Sequence, residues 1–335
     1  MEHTFAFEGT FLNRELNVAL DGVRRSAALC RRVQSRVRKY AVEKPDRSPV
    51  TLADFAVQAI VSEALEKSFP LDPLVGEEDT KLLIEGIGPV LLEQVTDLVR
   101  MEITGARAPA VLGWIRRGMS EPLGRFWTLD PIDGTKGFLR GEQYAIALAL
   151  IEDGQVAAAV LGCPRLDGRF EDVKAGSGVL VAARKGFGAW WIPMEGKSAW
   201  KPLHVSRRNR MSEAVVLRSF EENHTDGERI QRLMSLQGVI HPPIHMDSLA
   251  KYAVLAAGRG DVLIRMPPGS KSDYKEYIWD QAAGVLIIEE AGGRVTDLDQ
   301  RPLNFSCGRK LTQNRGVVAT NGLLHAAVFS ALKSV

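Results

Sequence analysis

Asp130-Pro131-Ile132-Asp133-Gly134-Thr135 closes the apolar run Phe126-Trp127-Thr128-Leu129, and few folds can accommodate it. The run predicts a buried strand that delivers two carboxylates to one point. Pro131 is expected to stop the strand and stiffen the bend, and Gly134 to let the backbone turn where a side chain would intrude. Two fixed carboxylates so close repel each other unless a cation sits between them. The segment therefore reads as half of a metal site. A tight Asx-type turn with solvated aspartates is the alternative, and the rest of the chain has to choose between the two.

At 335 residues the chain is long for a single core, so one elaborated domain or two packed halves are expected. Its net charge of +2 excludes the strong polyanion-binding balance of a nucleic-acid protein. Cys30, Cys163 and Cys307 are odd in number and widely spaced, which suggests a reducing compartment without a disulfide framework or a zinc site. No apolar run approaches membrane-spanning length. The first residues include Glu2 and Glu8 and no apolar segment of a signal peptide. The expectation is a cytoplasmic protein with no membrane or nucleic-acid partner; a monomer is favoured, with the oligomeric state left open.

Leu12, Leu16, Leu20, Val23, Ala27, Val33 and Val37 recur at helical spacing and predict an amphipathic helix over 12–40. The arginines between them read as its solvated face. The two prolines of 43–50 predict a loop, and in an enzyme a flap over a site. A second helix opens at Val50 with a stripe from Val57 to Phe69; Asp54 lies in its first turn, where helix capping alone would explain it. Leu74-Val75-Gly76 reads as a short strand ending in Glu77-Glu78-Asp79. Residues 80–124 show a helical pattern around Leu91, Val95, Leu98 and Val99, then a weakly patterned arm. Two hairpins follow, 144–151 with 156–161 and 178–183 with 188–191. Residues 1–203 thus read as an α+β domain. Residues 204–335 read as a smaller α/β domain, with strands at 214–218, 261–265, near 294 and at 316–320 and helices near 226–236, 248–257, 279–291 and from 323.

Asp54, Glu77, Asp130, Asp133 and Asp280 all stand at element ends. Asp280 is flanked by apolar residues and begins a helix whose next turns are nearly all apolar (Ala282 to Ile288), a setting for a cap or a ligand. Ligation by oxygen alone points to a hard divalent cation, Mg²⁺ before Mn²⁺ or Ca²⁺. Six unclustered histidines weigh against zinc. Magnesium held by carboxylates with open positions awaits phosphate oxygens, and paired ions stabilise an in-line displacement. Gly134-Thr135 suits a phosphate approaching backbone N–H groups.

Asp130 to Thr135, Gly76-Glu77-Glu78 and Trp279-Asp280-Gln281-Ala282-Ala283-Gly284 resemble the three signatures of the lithium-sensitive, Mg²⁺-dependent phosphomonoesterases of the inositol monophosphatase superfamily. Ser48-Pro49-Val50-Thr51, the run Asp130 to Gln143, and His245 to Tyr252 resemble its 3′(2′),5′-bisphosphate nucleotidase branch. The resemblance implies a layered α-β-α-β-α sandwich, two to three Mg²⁺ ions, and a small nucleotide bisphosphate as substrate. It implies that Glu77, Asp130 and the Ile132 carbonyl hold one ion and that Asp130, Asp133 and Asp280 hold a second. A third ion is implied near Glu77 and Asp54. Asp54 and Thr135 would form the hydrogen-bonded pair that orients and deprotonates the attacking water. Nucleotide contacts would fall on Thr135, His224, Ser248, Lys251, Arg265 and Asp280. Read without the family, Arg265 and Lys251 are ordinary solvated charges and Ser248 is a helix cap. An inositol (poly)phosphate 1-phosphatase shares every metal ligand named, and a catalytically silent nucleotide-sensing protein on the same scaffold is the non-enzymatic alternative.

Overall fold

The computed structural model describes residues 11–35, 41–43, 49–85, 88–171, 177–196, 198–220, 226–267 and 273–334. The first helix, α1 (Arg14–Val33), is capped by the Asn13 side chain, which accepts from Leu16 N at 2.9 Å. It ends well before residue 40, and 36–40 lie outside the described residues, as does most of the 43–50 loop. Strands β1 (Ala41–Glu43) and β2 (Pro49–Thr51) pair antiparallel and lead into α2 (Leu52–Ser68). The sequence predicts a buried stripe on α2, but every residue from Leu52 to Leu65 is buried. Helices on one side and the sheet on the other leave this helix no solvent face.

After β3 (Leu74–Gly76), the weakly patterned stretch folds as α3 (Lys81–Ile84), α4 (Gly88–Arg100) and α5 (Ala108–Arg117). Helix α5 buries only Val111 and Ile115, too thin a stripe to stand out in the sequence. Then come β4 (Arg125–Asp133), α6 (Thr135–Arg140), β5 (Ala145–Glu152), β6 (Gln155–Cys163), β7 (Val179–Arg184), β8 (Ala189–Pro193) and β9 (Lys201–Pro202). The remainder runs β10 (Val216–Arg218), α7 (Gly227–Leu236), β11 (Ile244–His245), α8 (Ala250–Ala256), β12 (Val262–Arg265), α9 (Ala282–Glu290), β13 (Arg294–Thr296), β14 (Val317–Thr320) and α10 (His325–Leu332).

Strands β3 to β9 form a seven-stranded sheet in sequence order, antiparallel except for the parallel pair β3–β4. A second sheet has the order β11-β10-β12-β14-β13. Period-two alternation divides the side chains between layers. On β5, Ile146, Leu148 and Leu150 join a core with α1 and α2, while Ala145, Ala147, Ala149 and Ile151 join a second core with α8 and α9. On the small sheet, Leu217 and Leu263 share that second core, and Val216, Val262 and Ile264 pack outward against α7 and α10. The layers therefore run α-β-α-β-α, as expected, with α8 and α9 between the sheets. Because both faces of the large sheet are covered, its strands read as unbroken apolar runs.

Candidate metal centre

Pro131 does not end its strand. Strand β4 runs through it to Asp133, and the register against β5 shifts: Asp130 faces Ala147 while Asp133 faces Ala145. Pro131 and Ile132 on β4 thus oppose the single Ile146 on its partner, a β-bulge, and a bulge is one of the few places a strand tolerates proline. Residues three apart on a regular strand point to opposite faces. The extra residue corrects that parity and brings both carboxylates to one side. Gly134 follows at φ +84, and a Cβ there would sit 2.9 Å from the Ser248 Cβ. Only glycine meets both demands.

Asp280 reaches the same place from the turn that precedes α9. Asp130, Asp133 and Asp280 each offer an oxygen, and these atoms all lie within 4.8 Å of one another. Burial pushes the Asp130 carboxyl well above the usual range, and the negative charges of Glu77, Asp133, Asp280 and Asp54 push it further. Burial raises Asp133 to about 6 against the pull of Lys251 and Arg265. Asp280 is raised well above its usual value by burial, with Arg265 opposing and Glu276 adding. Asp130 Oδ1 is buried without a hydrogen-bond donor among the described residues. Three crowded carboxylates, one with an idle oxygen, fit a hard divalent cation.

Glu77 is outside that 4.8 Å group, yet its charge acts on all three aspartates. It follows β3, and its N–H donates to Leu129 O at 3.2 Å in continuation of the β3–β4 ladder. The next residue is pinned by Gln58, one turn along α2 from Asp54. Gln58 Nε2 donates to Glu78 O (2.7 Å) and Ile115 O (2.9 Å), and its Oε1 accepts from Glu78 N (3.1 Å). A Cβ on Gly76 or Gly118 would collide with this amide. Gln58 was missed in the sequence; the available signal was a polar residue within an otherwise apolar helical stretch.

Asp54 sits at the third position of α2 in a capping box. Its Oδ2 accepts from Thr51 N (2.8 Å) and from the Thr51 hydroxyl (2.6 Å). The Thr135 hydroxyl donates to the Ile132 carbonyl at 3.1 Å, so the hydroxyl on Asp54 Oδ2 is that of Thr51 and not of Thr135.

Of the residues expected to touch substrate, Ser248, Lys251 and Arg265 lie around Asp133. Asp133 Oδ2 accepts from Leu249 N, which ties the bulge to the start of α8. Ser248 adopts φ +70 and its Oγ accepts from Ala250 N at 3.2 Å. Lys251 is not a solvated charge: it is 2 % exposed and donates to Met246 O at 3.0 Å. Burial lowers it to about 8, with Asp133 opposing. Arg265 is likewise no free surface charge, since Nε and Nη2 grip Glu276 at 3.0 and 2.8 Å. Glu276 also accepts from Gln281 Nε2 at 3.1 Å, and Gln281 Oε1 accepts from the Tyr252 hydroxyl. His224 lies outside the described residues.

Residues 13–335 match the model of the family described as the inositol monophosphatase family. The chain belongs to that family. Its members are metal-dependent, in keeping with the acidic cluster. The chain is 39 % identical to a 3′(2′),5′-bisphosphate nucleotidase of Emericella nidulans, over 96 % of this chain and 98 % of the relative. It is 39 % identical to one from Oryza sativa (95 % and 93 % covered) and 37 % identical to one from Schizosaccharomyces pombe (96 % and 95 %). Among solved structures, the Thermotoga maritima IMPase superposes with a TM-score of 0.68 at 22 % identity, covering 96 % of this chain and 98 % of the other. The structure titled 2′AMP-bound SaIMPase-II gives 0.58 at 17 % identity, with 94 % and 92 % covered. The layered fold and family membership read from the motifs are both borne out. Among the described residues no helix is long and apolar enough to cross a membrane.

Proposed function

We propose that this family member is a Mg²⁺-dependent phosphomonoesterase that removes the 3′-phosphate of adenosine 3′,5′-bisphosphate. Its sulfated relative, 3′-phosphoadenosine 5′-phosphosulfate, would be a second substrate. The observation that carries this is the likeness, over almost the whole length of both chains, to relatives curated as 3′(2′),5′-bisphosphate nucleotidases. Asp130, Asp133 and Asp280, with Glu77 and the Ile132 carbonyl, would hold two to three Mg²⁺ ions, because hard oxygen donors suit that ion over softer metals. When bound, such ions lower the pKa of water and offset the charge that develops on the phosphoryl oxygens.

The chain's own residues supply position and proton transfer. Asp54, held by Thr51, accepts the proton of the attacking water. Thr135 sits at the N-terminus of α6 with its hydroxyl beside the bulge. The water oxygen bonds to phosphorus as the P–O3′ ester bond breaks, and the 3′-oxygen leaves to take a proton from solvent. Lys251 and Arg265 supply positive charge on the substrate side. Glu276 uses two of the five N–H donors of Arg265, so three remain for a phosphate or a ribose oxygen. Ser248 and His224 complete the nucleotide contacts in this reading.

The test is phosphate release from adenosine 3′,5′-bisphosphate and from inositol 1-phosphate with Mg²⁺ present. The nucleotide is expected to be preferred by about 10-fold or more in kcat/KM. Equal or reversed preference would overturn the nucleotide assignment in favour of an inositol phosphatase.

A further inference from the structure

Arg309 belongs to none of the sequence motifs, yet it touches both flanks of the acidic cluster. Its carbonyl accepts from Ile278 N at 3.1 Å, and Leu311 N donates to Glu276 O at 2.9 Å. These bonds flank an antiparallel bridge between Tyr277 and Lys310. The segment that ends in Asp280 is therefore laid along residues 309–311. The Arg309 guanidinium stacks 5.0 Å from the centroid of Trp279, which itself stacks on Tyr277 at 4.5 Å and 13°. The same guanidinium crosses to the other flank. Its Nη2 donates to Gly76 O, and Nη1 lies 3.5 Å from both Gly118 O and Ser120 O. Gly76 is the residue before Glu77. Gln58 holds the residue after it, and Arg309 the residue before.

We propose that Arg309 is a positioning residue that locks the Glu77 and Asp280 segments into one frame, so that its loss weakens divalent-cation binding without removing a ligand. The inference rests on the reading of the acidic cluster as a metal site. Like charges held together push apart when no cation is present. A frame that resists this spreading leaves less reorganisation to be done on binding, which is how outer residues tune a metal site. Only a planar guanidinium can stack on an indole and donate in its own plane to carbonyls at the same time.

Calorimetric titration of Mg²⁺, without substrate, into the metal-stripped full-length protein tests this. Arg309→Met should raise the Kd for Mg²⁺ by about 10-fold while the far-UV circular dichroism stays unchanged. Turnover should recover in excess Mg²⁺. Arg259→Met, which removes another arginine-to-carbonyl contact (Nε to Arg169 O, 3.1 Å), should leave the Kd unchanged. A folded Arg309→Met protein with wild-type affinity would overturn the proposal. Should that variant not fold, Arg309→Lys, which keeps the cation but not the stacked fork, is held to the same two outcomes. A wild-type protein that binds no Mg²⁺ would overturn both this inference and the metal site. Tight binding by wild type and variant alike would overturn the inference alone.

Discussion

Asp130 is 2 % exposed, has an oxygen without a donor among the described residues, and feels the charge of four other acids. Such a residue is poorly placed for stability and well placed for a cation. Its place in an acidic cluster was legible because an acid next to an apolar run is conspicuous. The residues that hold the ligands in place were not. Gln58 and Arg309 act on backbone carbonyls, and a carbonyl leaves no trace in the sequence. Arg265 and Lys251 could be read as solvated charges only because their partners, Glu276 and Met246 O, are distant or main-chain. A buried residue away from the site gives a pH prediction. His325 is 3 % exposed between Thr296 Oγ1 at Nε2 and Thr320 Oγ1 at Nδ1, both at 3.0 Å. The Thr296 hydroxyl donates to Asp297 O, so it accepts from Nε2–H and the ring is the neutral Nε2 tautomer. Burial, with the charge of Arg294 adding, lowers His325 to about 4, against about 6.5 in an unfolded chain. The unfolded state alone takes up the proton between those values. The stability from neutral His325 is therefore fully present above about pH 6.5 and lost as pH falls towards 4. Urea unfolding at about pH 7 and about pH 4.5 should show wild type losing on the order of 2 kcal/mol more than His325→Gln; a parallel decline would contradict this.

At the level of elements, the bulge in β4 is the feature the sequence described least well. Proline after an acid reads as a strand end, and only the pairing register shows that the strand continues with one residue added. The hairpins were easy to read because their apolar runs are long and their turns carry glycine. Helix α5 was not, because two buried residues in ten make a faint stripe. The glycine that ends Trp279-Asp280-Gln281-Ala282-Ala283-Gly284 now has a cause. Gly284 lies on α9 against the Tyr252 ring on α8, and a Cβ there would collide with ring carbons. That close approach sets Tyr252 to hold Gln281, which in turn holds Glu276 against Arg265. Gly284→Ala should cost about 1–3 kcal/mol, the usual range for overpacking a filled core, and should weaken substrate binding through Arg265. A melting midpoint and KM both equal to wild type would sink this chain of contacts.

Across the whole molecule, the five-layer arrangement explains why the acids meet. Asp54 comes from the start of α2, Glu77 from the end of β3, Asp130 and Asp133 from the end of β4, and Asp280 from the turn before α9. These ends converge at one edge of the large sheet, where α8 and α9 enter the space between the sheets. The family signatures made this convergence legible in advance, although spacing alone could not have brought Asp280 to Asp130 across 150 residues. The fold thus confines like charges where a cation can neutralise them, at a cost to its own stability. The most direct check is the thermal midpoint of metal-stripped wild type and Asp130→Asn, each with and without Mg²⁺. Removing one charge from the cluster should raise the metal-free midpoint by a few degrees, while Mg²⁺ should stabilise wild type strongly and the variant little. A metal-free variant less stable than wild type, still stabilised by Mg²⁺ to the same extent, would contradict the account.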